Sequence, residues 1–206
     1  MKKVLSIFII ALVFSYVAKA QVNLNVGGFY SPNTTIKIDK SDKTGNLATL
    51  SYKPTYGGSA SIDFGGSFLH NMLEISYYTG EMTNIEQSDP ILFNWNASDL
   101  RTLKSIAVFY SSGKNLLGFL SSSRLQLPAH IGVGFTHNDI GPAKNNLFTV
   151  GVKARLKFYI TDKIAIYAGG GYRGAIPGNF NPKVADISVG QSILYADAGL
   201  SFSLVE

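Results

Sequence analysis

The side chains with the most chemical reach are three basic residues spaced two apart, Lys153, Arg155 and Lys157, and three scattered carboxylates, Asp63, Glu74 and Asp197. A helix would divide the basic residues between its faces, whereas a strand sets all three on one face as a cationic ladder. Charges taken out of water persist only when paired, so the carboxylates are the expected partners in a salt-bridge network. That is neutralisation chemistry, not catalysis. The histidines His70, His130 and His137 are not spaced to ligate a metal from one element, and the absence of cysteine removes Cys-ligated zinc, iron–sulfur clusters and thiolate nucleophiles. Gly169-Gly170-Gly171-Tyr172-Arg173-Gly174 matches a dinucleotide-binding pattern in letters only, since a helix would have to start there and Pro177 instead follows a strand-like run. These glycines are expected to make room for a large neighbour such as Arg173. His130 shares its face with Gly132 and Gly134, so no nucleophile–base pair is visible. The reading is of a protein that is not an enzyme, with no cofactor and no metal.

The elements that position the ladder are legible from alternation. Phe148, Val150, Val152, Ala154, Leu156, Phe158 and Ile160 take the opposite parity to Thr149, Gly151, Lys153, Arg155, Lys157 and Tyr159, which defines a strand with one apolar and one polar face. Leu194 to Leu204 and Leu127 to Phe135 repeat the pattern, and Val22, Leu24 and Val26 begin it again. Strands are expected near Val22–Tyr30, Thr55–Phe64, Met72–Gly80, Thr102–Ser111, Leu125–Thr136, Asn146–Ile160, Ile164–Ala175 and Gln191–Leu204, about eight in all. Long connections at Ser31–Pro54, Glu81–Arg101, His137–Asn145 and Ile176–Gly190 alternate with shorter ones at Gly65–Asn71, Ser112–Arg124 and Thr161–Lys163. An up-and-down barrel in an outer membrane has this rhythm. With 13 Phe, 11 Tyr and 21 Gly in 206 residues, the composition also favours pleated sheet with tight turns.

Met1-Lys2-Lys3, the apolar run Val4 to Val17 and the small-x-small triplet Ala18-Lys19-Ala20 have the form of a secretory signal peptide. Residues 1–20 are expected to be cleaved, leaving residues 21–206 as one barrel domain. The leader holds three of the 18 basic residues, so the formal charge of +5 falls to about +2 and lends no support to nucleic-acid binding.

Two barrels fit alternating strands, one with lipid outside a polar lumen and one, lipocalin-like, with water outside an apolar cavity. A Lys or Arg turned to lipid at mid-depth costs about 2–4 kcal/mol, so in a membrane Lys153, Arg155 and Lys157 must point inward. The apolar faces of Phe148–Ile160 and Leu194–Leu204 are longer than a narrow calyx could enclose and suit a membrane strand of about 9–11 residues, which favours the membrane barrel. Arg173 and His130 join the polar lumen on the same parity. Strand direction sets Asp63, Glu74 and Lys157 low in the barrel and Asp197, Lys153 and Arg155 nearer its middle. Tyr30, Tyr77, Tyr78, Tyr110, Tyr159 and Tyr172, near strand ends, are expected to form aromatic girdles.

The closing run Tyr195-Ala196-Asp197-Ala198-Gly199-Leu200-Ser201-Phe202-Ser203-Leu204, the run Leu125 to Phe135 and the alternation along residues 21–206 together resemble small outer-membrane β-barrel proteins of the OmpA/OmpX-like class. The resemblance implies a bacterial outer-membrane location, contact with membrane lipid, and insertion by a barrel-assembly machinery. It does not select a role, since function lives in sites and not in folds. The expectation is a structural or surface-interaction protein whose lumen is plugged by the charged network. A small ion or solute pore stands second and a lipid-modifying barrel enzyme third. The apolar residues Ile91, Leu92, Phe93 and Trp95 sit in an otherwise polar connection and form a candidate contact for an extracellular or envelope protein partner.

Overall fold

Aromatic and β-branched residues alternating with small polar ones make strands of nearly every described segment. The computed structural model describes residues 21–40, 46–65, 69–87, 102–117, 124–140, 144–176 and 187–205. The expected signal peptide, residues 1–20, and the apolar set Ile91, Leu92, Phe93 and Trp95 lie outside the described residues. The strands are β1 (Gln21–Lys40), β2 (Asn46–Gly65), β3 (His70–Gln87), β4 (Thr102–Asn115), β5 (Leu125–Gln126), β6 (Pro128–Asp139), β7 (Lys144–Tyr159), β8 (Ile164–Ala175) and β9 (Ile187–Val205). All pairings are antiparallel, and β9 returns to β1 to close the ring. β5 and β6 are one stave: Gln126 opposite Lys157 and Ala129 opposite Ala154 continue a single register along β7. The break between them is the single residue Leu127, just before Pro128, which has no N–H to give the ladder. The described barrel therefore has the expected eight staves, all-β and up-and-down.

The outer wall is apolar over a broad belt. Val26, Ile62, Leu73, Ile75, Val108, Ile131, Val133, Val152, Leu156, Phe158, Ile166, Leu194 and Leu200 all point outward and are exposed. Soluble proteins rarely show apolar patches beyond a few hundred Å². A lipocalin-like barrel would hide these side chains, so the outward belt excludes that alternative and fits hydrocarbon. Tyr30, Tyr56, Tyr77 and Tyr172 stand outward along one margin of the belt, with Tyr30 directly opposite Tyr56. Tyr110 also faces outward, its hydroxyl 3.0 Å from Asn71 Oδ1. Tyr78 and Tyr159, expected in the girdles, instead point into the barrel and are buried, because their parity on β3 and β7 is that of Glu74 and Lys157.

Beyond the tyrosine margin the wall turns inside out. β1 and β2 do not end at Tyr30 and Thr55 as expected but continue to Lys40 and from Asn46, so most of the anticipated loop Ser31–Pro54 is strand. Ser31 pairs with Thr55 and Thr34 with Tyr52, which places residues 32–33 opposite residues 53–54 as a matched irregularity. Across it the parity of both strands changes. Asn23, Asn25, Phe29 and Ser31 are buried below it and Thr34, Ile36 and Ile38 above it, while on β2 Asp63, Ser61, Ser59 and Thr55 give way to Tyr52, Leu50 and Ala48. The interior here is a packed apolar cluster that also draws in Met82, Leu103, Ile140 and Ile193. Outside, Lys37, Lys53, Thr83, Asn84 and Glu86 are exposed, a surface suited to water. Among the described residues, β4 pairs with β3 from Thr102, opposite Glu81, and β8 pairs with β9 as far as Gly174, opposite Ser192. Among the same residues the farthest part of the wall is formed by β9, β1, β2 and β3. Among the described residues the interior beyond the irregularity is mainly apolar, with Thr34, Ser188 and Gln191 buried at the same level, which corrects the expectation of a polar face throughout.

Candidate functional site

β7 carries Lys157, Arg155 and Lys153 inward on successive rungs, climbing from the end of the barrel that holds Gln21 and Val205. Lys157 Nζ lies 2.5 Å from Asp63 Oδ2 and donates to Asn25 Oδ1 at 2.9 Å, with Ser201 Oγ at 3.5 Å. Arg155, 1% exposed, spends its whole fork. Its Nε donates to Asp197 Oδ2 at 2.8 Å and its Nη2 to Glu74 Oε2 at 2.9 Å, with the same Asp197 oxygen at 2.7 Å. Its Nη1 reaches Ser61 Oγ at 2.9 Å and Met72 Sδ at 3.4 Å, and the guanidinium sits 4.6 Å over the Tyr167 ring. Lys153 bridges Glu74 and Asp197, the latter at 2.9 Å. Arg173, from β8, binds Glu74 and donates to Ser76 Oγ at 3.0 Å, between the rings of Phe109 and Tyr195 at 4.9 Å each.

All six residues expected in the network are therefore in contact within it. Asp63 with Lys157 forms the lower pair, and Asp197, Lys153 and Arg155 the middle group. Glu74, expected low beside Asp63, belongs to the middle group instead: its carboxylate receives Lys153, Arg155 and Arg173 together. Strands tilted around a barrel shift height from stave to stave, so position along one strand alone misplaced it. Arg173 is the fourth cation, and parity along β8 was the signal for it. The neighbours of the glycine run are also different from those expected. A β-carbon at Gly169 would lie 2.8 Å from Arg155 Cγ, and one at Gly171 2.7 Å from the Tyr195 hydroxyl, so these glycines admit Arg155 and Tyr195, whereas Arg173 packs over Gly151.

Above the charges an aromatic layer crosses the lumen, with Phe29 stacked on Tyr78 at 5.1 Å and on Tyr195 at 4.8 Å between ring centroids. A short polar layer follows, in which Ser105 Oγ donates to Asn138 Oδ1 at 2.5 Å and Asn138 exchanges bonds with Gln191 at 3.4 and 3.5 Å. The apolar cluster closes the far end. Neither the aromatic layer nor this cap was anticipated. Among the described residues no group of three or more His, Asp or Glu side chains is placed to hold a metal ion. His130 is buried with neither ring nitrogen hydrogen-bonded, and Gly113 separates it from His70 on the intervening strand.

No protein-family profile matches the chain, and no curated protein matches it in sequence. Solved structures do. The chain is similar to the outer membrane protein OprG from Pseudomonas aeruginosa at 8% identity, with a TM-score of 0.64 over 91% of this chain and 97% of that one. It also matches Neisserial surface protein A (14% identity, TM-score 0.49, 88% and 97% covered) and Ail, the attachment invasion locus protein of Yersinia pestis (13%, 0.44, 89% and 99%). The first of these likenesses gives the fold: the chain is folded as an outer-membrane β-barrel.

Proposed function

We propose that this chain, an outer-membrane β-barrel by fold, is an integral protein of the bacterial outer membrane with no catalytic role, whose lumen is plugged and whose working surface is the extension beyond the tyrosine margin. The carrying observation is the middle charge group: Glu74, Asp197, Lys153, Arg155 and Arg173 span the interior from β3, β9, β7 and β8 and are all buried. An eight-stranded barrel is only wide enough for its own side chains, and the aromatic layer, continuous with the apolar cap in one cluster, adds a further closure. The end that holds Gln21 and Val205 faces the periplasm in this reading, so the β9-β1-β2-β3 extension projects from the cell. Its polar outer face, with Lys37, Lys53, Thr83, Asn84 and Glu86, offers a stiff platform for a protein partner. The segment linking β3 to β4 carries Ile91, Leu92, Phe93 and Trp95 and would supply the apolar part of that contact. Insertion by the barrel-assembly machinery follows from the same reading.

Conductance tests the plug. Reconstituted in a planar bilayer, the protein is expected to pass no steady ion current, and Arg155→Ala alone is expected to pass none either, because the aromatic layer and the cap remain. Steady current through the unaltered protein that changes on neutralising Arg155 or Asp197 would instead make it a pore.

A further inference from the structure

The charges inside the barrel do not balance. Among the described residues lining the lumen, Lys153, Arg155, Lys157 and Arg173 face only Asp63, Glu74 and Asp197, all seven buried. Lys157 takes Asp63, so three cations share Glu74 and Asp197 and one positive charge is left over. Protonation of the buried His70 or His130 would only add to it. Burying an unpaired charge is costly enough that a partner is required.

The leftover charge has an address. Arg173 spends Nη1 on Ser76 and Nη2 on Glu74, and its two faces are covered by Phe109 and Tyr195, but its buried Nε–H has no acceptor among the described residues. Arg173 lies opposite Gly151 on β7, and Thr149, two residues along on the same inward face, is buried with its hydroxyl equally without a partner. Such diagonal positions on neighbouring strands lie within reach of a shared contact. The arginine Nε–H can only donate, and the threonine hydroxyl can donate as well. Asp63 Oδ1 and Asp197 Oδ1 also lack partners, but each belongs to a carboxylate whose other oxygen already holds cations.

We propose that the lumen holds one small monovalent anion, of halide type, between Arg173 Nε–H and the Thr149 hydroxyl. A single surplus charge calls for a monovalent ion, and two neighbouring donors suit a halide better than an oxyanion, whose several oxygens would each need a donor. The ion completes the charge balance of the network and is enclosed as the strands close, so it needs no conducting path. The plug is tested by current and this site by salt, and either can fail alone.

The test is to refold the full barrel from urea into detergent in sodium bromide and in sodium gluconate at equal ionic strength. The urea midpoint is expected to be higher in bromide. Thr149→Val, which keeps the shape and removes the hydroxyl, is expected to erase the difference, while Ser111→Ala, which deletes another buried and unpartnered hydroxyl, should leave it intact. Crystals grown from bromide should show an anomalous peak within hydrogen-bond reach of Arg173 Nε and Thr149 Oγ1. Equal midpoints in the two salts, a Thr149→Val protein that keeps the full difference, or bromide peaks found only elsewhere would overturn the proposal.

Discussion

Replacing Glu74 by glutamine is expected to destabilise the barrel more than any other single exchange in the lumen. The carboxylate is the shared partner of Lys153, Arg155 and Arg173, and without its charge three buried cations would confront Asp197 alone. Removing one partner from a buried ion network costs about 3–5 kcal/mol, against a total stability of roughly 5–15 kcal/mol for a domain. The Glu74→Gln protein should therefore lose its heat-modifiable folded band at a much lower urea concentration. Asp63→Asn should fall less far, since that carboxylate pairs with Lys157 alone. Adding Lys153→Met to Glu74→Gln returns the surplus to a single positive charge and should recover part of the loss. A Glu74→Gln midpoint close to that of the unaltered protein would show that the network does not hold the barrel together.

The second large effect is expected outside the wall. Leu156 points outward, 46% exposed, between the inward Arg155 and Lys157. In hydrocarbon, Leu156→Arg should cost about 2–4 kcal/mol, so adjacent residues on β7 have opposite requirements for charge. Thr83, exposed on β3 beyond the tyrosine margin, should accept arginine within about 0.5 kcal/mol, as surface positions in water usually do. Urea unfolding of the two variants in lipid vesicles measures both. Equal tolerance at the two positions would remove the boundary drawn at Tyr30, Tyr56, Tyr77 and Tyr172.

The belt of the barrel was legible in the sequence because a single physical demand, apolar outward and polar inward, writes a period of two into every strand that crosses it. β7 could be read whole for this reason, from Phe148 to Phe158, and the basic ladder within it announced both the lumen and its carboxylate partners. The extension was not legible, for the same reason reversed. Above Pro32 and Pro54 water lies outside and the apolar cluster inside, so Ile36, Ile38, Leu50 and Tyr52 carry the parity that would face lipid lower down. Two prolines at the point of inversion then read as a loop. Parity likewise told that Glu74 faces the lumen but not which cations it meets, since contacts across a barrel depend on stagger between staves and not on order along one of them. The anion site lay beyond reach altogether, because it needs the count of partners each donor actually finds.

Everything rests on an exterior that meets hydrocarbon up to the tyrosine margin and water above it. The chain has no cysteine, so single spin labels can be placed at Leu156→Cys, Leu200→Cys, Lys37→Cys and Thr83→Cys without background, and their collision rates with oxygen and with a water-soluble nickel chelate compared in lipid vesicles. The labels at 156 and 200 should collide mainly with oxygen and those at 37 and 83 mainly with the chelate. Chelate access at position 156 equal to that at position 83 would contradict the account.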